Sequence, residues 1–300
     1  REYSNLRAES TNGVACVMRN DRFITYDWTG LDLDAMPTNN GHAFDCPRNT
    51  YKQVNGGYSP INDVHHHAGV VYDMYYAWYG LYHITPFVPQ ALKVHYGNNY
   101  PDAFFDWNGS VYFGDGDPQM GYYPLTSMDY VSHELGHGFT RKFSDLIYAG
   151  QSGAINEAYS DMAGEAAKYY AGNTNDFEVF KDVSNADIVP QGIYRFMYNP
   201  PLDDRIWGEP WVSIGSADDY WEGIDVHNAS GVFNKAFYLL ATTPGWNSKK
   251  AFDVMAYANQ HYYWNADTSF ADAACGVIEA ARQWGYNKSD VDKAFISVGV

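Results

Sequence analysis

The chain is short of positive charge. Its 300 residues carry 19 Lys and Arg against 36 Asp and Glu, a formal net charge of −17. Such acidity repels phosphate backbones and anionic lipid, which argues against nucleic acid or a membrane surface as a partner. Long apolar runs are also missing. A membrane helix needs about 20 consecutive apolar residues. The richest segment, Val70 to Val88, is interrupted by Asp73 and His83 and reads as core, so no membrane insertion is expected. The opening Arg1-Glu2-Tyr3 has no apolar signal region, so an exported protein would be present in processed form. Cysteine is scarce. Cys16 and Cys46 flank a turn-rich stretch and could close one loop, while Cys275 has no evident partner. Internal repeats and low-complexity tracts are absent.

What is present is globular: 46% apolar residues and 17% aromatic, with 27 tyrosines. A chain of this length makes one large domain or two lobes sharing a cleft, and buries a core without staples. Residues 1 to about 125 look strand-rich. Alternating runs such as Ala91–Tyr96 and Ser110–Phe113 lie between turn clusters, with one helix near Asp63 to Gly80. From Ser127 the period becomes helical. Thr126 or Ser127 can cap a helix to about Lys142, and a second helix runs from about Ser152 to Ala171. After an irregular stretch to Asp225, helices are expected near Ser230–Ala241, Ser248–Trp264, Phe270–Gly285 and Ser289–Ser297. The fold class is α+β: a strand-rich N-terminal lobe over 1–142, ending in the first of these helices, then a mainly helical lobe over 143–300.

His133-Glu134-Leu135-Gly136-His137 is an H-E-x-x-H motif. On a helix, positions i and i+4 share a face, so both imidazoles reach one zinc ion while Glu134 addresses a water. A catalytic zinc needs a third protein ligand and an open position. The extended H-E-x-x-H-x-x-G-x-x-H pattern would need histidine at position 143, where Phe143 stands. The other candidate is Glu157 on the next helix, within Gly153-Ala154-Ile155-Asn156-Glu157-Ala158-Tyr159-Ser160-Asp161.

With these two motifs the sequence resembles the thermolysin family of zinc metalloendopeptidases, and within it the pseudolysin and vibriolysin branch. The family's second signature reads G-x-x-N-E-x-x-S-D, its Glu twenty positions after the second His, as Glu157 follows His137 here. Further blocks match: Asn55–Asp63, Gly138-Phe139-Thr140, Asp225–Val232 and Ala294–Val300. The resemblance covers roughly residues 45 to 300. It implies the two-lobed thermolysin-like fold, with the zinc helix between the lobes at the cleft. It implies a secreted endopeptidase that hydrolyses protein and peptide substrates by metal-activated water, made with a propeptide and acting as a monomer.

The resemblance also implies residue roles. Asp161 and Asn156 would hold His133 and His137 in orientation, as ligand histidines require. Tyr148 and His227 would donate to the oxyanion, with Asp225, or alternatively Glu222, orienting His227. Arg195 would grip a substrate carbonyl, and the strand at Asp102 and Ala103 would pair with the substrate. That strand departs from the family: Asp102 stands where an amide is expected, and the run to Gly109 is two residues longer. The segment near Ile206–Trp211 also looks longer than in the branch. Tyr122, Leu125, Tyr130, Ile188 and Tyr194 would line a pocket for a hydrophobic residue after the scissile bond, with the Tyr130 ring turned inward and shortening it. A structural calcium is implied at Asp129, Glu165, Asp176 and the backbone of Glu178, weakened because Lys168 replaces a further Glu of the family. Cys16 and Cys46 would be bridged, which stabilises by roughly 3 kcal/mol in the chain-entropy model, and Cys275 would be unpaired.

Two rival readings remain. A non-catalytic zinc-stabilised binding module would usually have a closed site containing cysteine. A zinc aminopeptidase would carry a G-x-M-E-N block, which is absent.

Overall fold

The computed structural model describes residues 9–10, 15–46, 49–50, 52–188, 195–203, 212–261 and 263–300. Two compact units emerge: Arg1–Gly138 with Phe180–Gly192, and Phe139–Val179 with Ile193–Val300.

Among the described residues, the first unit holds three sheets. β1 (Glu9–Ser10), β2 (Ala15–Val17) and β4 (Ala43–Asp45) form an antiparallel sheet. β5 (Gln53–Val54) and β6 (Gly57–Tyr58) form a hairpin. The main sheet has the order β3 (Phe23–Asp27), β7 (Gln90–Tyr96), β9 (Ser110–Gly114), β8 (Ala103–Asp106). β3 and β9 run parallel to β7, and β8 runs antiparallel to β9. The parallel β3–β7 pair requires a crossover. Helix α1 (Pro60–Tyr79) provides it and packs on both strands. Pro60 suits its first turn and Gly80, at φ 69°, its end. Ile61, Val64, Ala68, Val71, Tyr72 and Tyr75 recur at helical spacing and are buried. On the sheet, Ile24, Tyr26, Trp28 and Tyr112 make a cluster. Cys16 and Cys46 are bonded to each other, and Cys275 is a free, exposed thiol.

Helix α2 (Met128–Lys142) carries Asp129 in its first turn and Arg141 and Lys142 in its last, matching the helix dipole. Its Gly138 leaves no room for a side chain: a Cβ there would lie 2.6 Å from Thr85 Cγ2 and 3.1 Å from Phe105 Cε2.

The second unit is built around α3 (Gly150–Gly172). Every residue from Ser152 to Ala167 is buried, as expected of a helix surrounded on all sides. α4 (Val226–Ala229), α5 (Gly231–Ala241) and α6 (Ser248–Gln260) pack on it. α7 (Phe270–Trp284) and α8 (Lys288–Ile296) complete the bundle. Asn247, Ser269 and Asn287 cap α6, α7 and α8 through their side chains. α6 stops at Gln260, short of the expected Trp264. The turn frees Trp264 to bury its indole, which donates to the Ala273 carbonyl at 3.1 Å. Rings of Phe139, Tyr159, Phe252 and Trp264 meet at centroid distances of 5.2 to 6.2 Å. A short antiparallel pair, β10 (Glu178–Val179) with β11 (Arg195–Phe196), lies in the stretch expected to be irregular. Tyr194 and the longer segment near Ile206–Trp211 lie outside the described residues.

Candidate active site

His133 and His137 lie one turn apart on α2, with Nε2 atoms 3.1 Å apart and rings buried. Each of His133, His137 and Glu157 offers a ligand atom within 4.8 Å of the other two, and all three residues are buried. Ligands at about 2.0–2.1 Å from a tetrahedral zinc stand about 3.3 Å from one another. Two imidazole nitrogens at 3.1 Å with a carboxylate nearby therefore fit zinc in donor type and spacing. Glu134 is buried on the same helix.

Around Glu157 the second unit supplies donors. The Tyr148 hydroxyl donates to Glu157 Oε1. It lies 3.3 Å from His227 Nε2, which is itself 3.5 Å from Glu157 Oε1. Asp225 caps α4 by accepting from the His227 backbone N–H, and the same oxygen lies 2.9 Å from His227 Nδ1. Glu222, the other candidate partner, is exposed. The hydrogen bond from His227 holds the Asp225 carboxyl below its ordinary range. For His227 burial acts downward, but the Glu157 charge and the Asp225 hydrogen bond outweigh it and raise the imidazole. Gly153 lets these parts approach. A Cβ there would lie 2.6 Å from Val226 Cγ1 and 3.0 Å from the Tyr148 carbonyl carbon.

Asp161, one turn beyond Glu157, accepts from Arg195 Nε and Nη2, both at 2.7 Å, and from Asn234 Nδ2 at 2.8 Å. The bidentate pair is buried and raises Arg195 against the opposing effect of burial. Asn234 escaped the sequence reading. Its only signal is an amide in the apolar helix α5, a weak one by itself. Asn156 Nδ2 reaches the Leu146 carbonyl at 3.5 Å.

β8 ends the main sheet, with Ala103 opposite Phe113. Asp102 turns its carboxylate onto the Ala103 N–H at 2.8 Å, and its carbonyl accepts from Gly114 N at 3.0 Å. Tyr100, just before it, has its phenol raised by burial and then by Asp102, Tyr96 and Glu134, which puts it within the field of Glu134. Of the pocket candidates, Tyr122 and Leu125 are buried and Ile188 is exposed. The Tyr130 ring is stacked on Phe180 at a centroid distance of 3.7 Å.

The residues implied for calcium are otherwise engaged. Asp129 accepts from the Ser127 hydroxyl, from Tyr130 N at 3.0 Å and from Phe180 N at 2.7 Å. Glu165, Asp176 and the Glu178 carbonyl surround the Lys168 ammonium.

Comparison with known proteins agrees with this geometry. The family model for the thermolysin metallopeptidase catalytic domain matches residues 1–141, and that for its alpha-helical domain matches 144–300. The chain belongs to the thermolysin metallopeptidase family. This thermolysin-family chain is 42% identical to the neutral protease of Vibrio proteolyticus, over 96% of its own length and 44% of the relative's. It is 41% identical to the hemagglutinin/proteinase of Vibrio cholerae, again over 96% and 44%. It thus spans less than half the length of these curated relatives. Its fold matches that of the precursor of protealysin, a metalloproteinase from Serratia proteamaculans, with a TM-score of 0.75 at 24% identity, over 99% of this chain and 90% of that one.

Proposed function

We propose that the chain is a secreted zinc endopeptidase that hydrolyses peptide bonds in proteins and peptides. The observation that carries this reading is the buried trio His133, His137 and Glu157 with Glu134 on the same helix. That is three ligands without cysteine, plus one carboxylate available for proton transfer. Zinc, when bound there, polarises the scissile carbonyl and acidifies a water. Glu134 takes the proton of the attacking water and returns it to the leaving amine. Tyr148 and His227 donate hydrogen bonds to the oxygen that gains charge. Asp225 supports the doubly protonated imidazole, which donates from both nitrogens, one to Asp225 and one to that oxygen. Arg195, clamped by Asp161 and through it by Asn234, meets a backbone carbonyl of the substrate. Asp161 and Asn156 also steady the ligand histidines.

The substrate is read as an added strand along β8 at Asp102 and Ala103. Tyr122, Leu125, Tyr130, Ile188 and Tyr194 receive the hydrophobic side chain after the scissile bond. Residues 1–142 act as the lobe that ends in the zinc helix, and 143–300 as the lobe that brings Glu157 and the oxyanion donors. The same reading takes the mature chain as a monomer that leaves the cell and is preceded during synthesis by its own propeptide. No helix among the described residues is long and apolar enough to cross a membrane. Calcium has no part in this function, because Glu165, Asp176 and the Glu178 carbonyl surround an ammonium and Asp129 accepts from Ser127, Tyr130 and Phe180.

The test is cleavage of casein by the zinc-loaded chain, by the same chain after zinc chelation, and by Glu134→Gln. Cleavage should require both zinc and Glu134. A folded Glu134→Gln protein that cuts casein at a substantial rate defeats the proposed chemistry.

A further inference from the structure

The acidic group at the end of α3 is arranged around an internal cation. Lys168 stands one turn beyond Glu165. Its ammonium nitrogen lies 2.6 Å from Glu165 Oε1, 2.7 Å from Asp176 Oδ1 and 3.3 Å from the Glu178 carbonyl oxygen. An ammonium has three donors and no acceptor, so three oxygens around it suit its chemistry; those of Asp176 and Glu178 accept hydrogen bonds from it and that of Glu165 is ion-paired with it. The other Glu165 oxygen, Oε2, accepts from Asn175 Nδ2 at 2.7 Å and from Phe177 N at 3.3 Å. Asn175 also bonds the Glu165 carbonyl at 2.7 Å and is held by the Ser248 hydroxyl at 2.5 Å. One oxygen of the buried Glu165 carboxylate is therefore hydrogen-bonded and the other is ion-paired with Lys168.

Calcium asks for six to eight oxygens at about 2.3–2.6 Å. To reach Glu165 Oε1 and Asp176 Oδ1 it would have to press against a positive charge on those same atoms. The residues do not fit the metal. They fit a monovalent cation that the chain carries itself. The formal charge explains why one residue suffices. Two carboxylates and an ammonium sum to −1, and so do three carboxylates and a divalent ion.

We propose that Lys168 is the resident cation of this cluster, tying the turn after α3 and the start of β10 to the helix, so that the chain needs no calcium there. Burial supports the need for a counter-charge. The Glu165 carboxyl is pushed up to about 7 by burial, with Lys168 pulling the other way. Calcium binding, even weakened, is then not expected at these residues. It concerns stability, so it stands or falls separately from the proposed peptidase activity.

The experiment is thermal melting of zinc-loaded protein in calcium-free buffer and in millimolar calcium, on the Glu134→Gln background to prevent self-cleavage. The parent should melt at the same temperature in both buffers. Lys168→Glu, which gathers three carboxylates, should melt lower without calcium and recover when calcium is added. Lys168→Met, which removes the cation without adding an anion, should melt below the parent in calcium-free buffer. An equal calcium response in parent and Lys168→Glu, including none in either, overturns the proposal. So does a Lys168→Met protein that melts no lower than its parent, and this comparison decides the matter if Lys168→Glu does not fold.

Discussion

At the scale of single residues, metal binding and proton transfer are separable. His133→Ala, His137→Ala or Glu157→Ala should each abolish stoichiometric zinc, measured by native mass spectrometry. Glu134→Gln should retain zinc and lose roughly 10²–10⁴-fold in kcat, the usual worth of a general base. Tyr130 invites a test of a different kind. Its ring is buried and stacked on Phe180. Tyr130→Val should therefore cost roughly 2–4 kcal/mol through the cavity it leaves. It should also shift the Phe-to-Leu preference after the scissile bond in a peptide series. Equal preference in both proteins would show that the ring only fills space. Asp203 offers a pH test. Burial pushes its carboxyl up to about 7, opposed by Ser213, the Phe196 N–H and Arg195. A carboxyl raised on folding contributes stability below its unfolded value, and that contribution is lost as pH rises through the folded value. Asp203→Asn should accordingly gain stability relative to the parent between about pH 4 and 8, by up to roughly 4 kcal/mol. A flat difference across that range would contradict the shift.

At the scale of elements, α3 does two jobs with one surface. It carries Glu157 and Asp161 toward the site and lets α4 approach closely enough for His227 to lie 3.5 Å from Glu157. Gly153 is the contact that permits this. Helix propensity alone favours alanine over glycine by about 1 kcal/mol. Packing argues the opposite, because the added Cβ would meet Val226 and the backbone of Tyr148. Gly153→Ala should lower the melting temperature and reduce kcat while zinc stays bound, since the displaced neighbours flank His227 and contain Tyr148. A rise in melting temperature would show that the helices can part at little cost.

At the scale of the whole molecule, the Cys16–Cys46 bridge closes a separation of 30 residues at the start of the chain. Replacing both cysteines by alanine should cost roughly 3–4 kcal/mol in the chain-entropy model. Chemical denaturation under oxidising conditions measures it, and an unchanged midpoint would show that the sheet of β1, β2 and β4 does not depend on the bridge.

The sequence alone determined what depends on neighbours along the chain. The H-E-x-x-H pair is legible because four residues make about one helical turn, so a shared face follows from local geometry. The helices α5, α7 and α8 are legible because apolar period and caps are local too. Tertiary structure alone decided which distant charges meet. Asp225 precedes His227 by two positions and Glu222 by five; the turn into α4 brings Asp225 onto the ring, and Glu222 is left exposed. Asn234 joins Asp161 across 73 positions, a contact no local pattern encodes. Lys168 reads as a missing calcium ligand in sequence, yet its flexible stem carries the ammonium into the cluster itself. Charges and hydrogen-bonding groups act through space, and the spacing that matters to them exists only once the chain has folded.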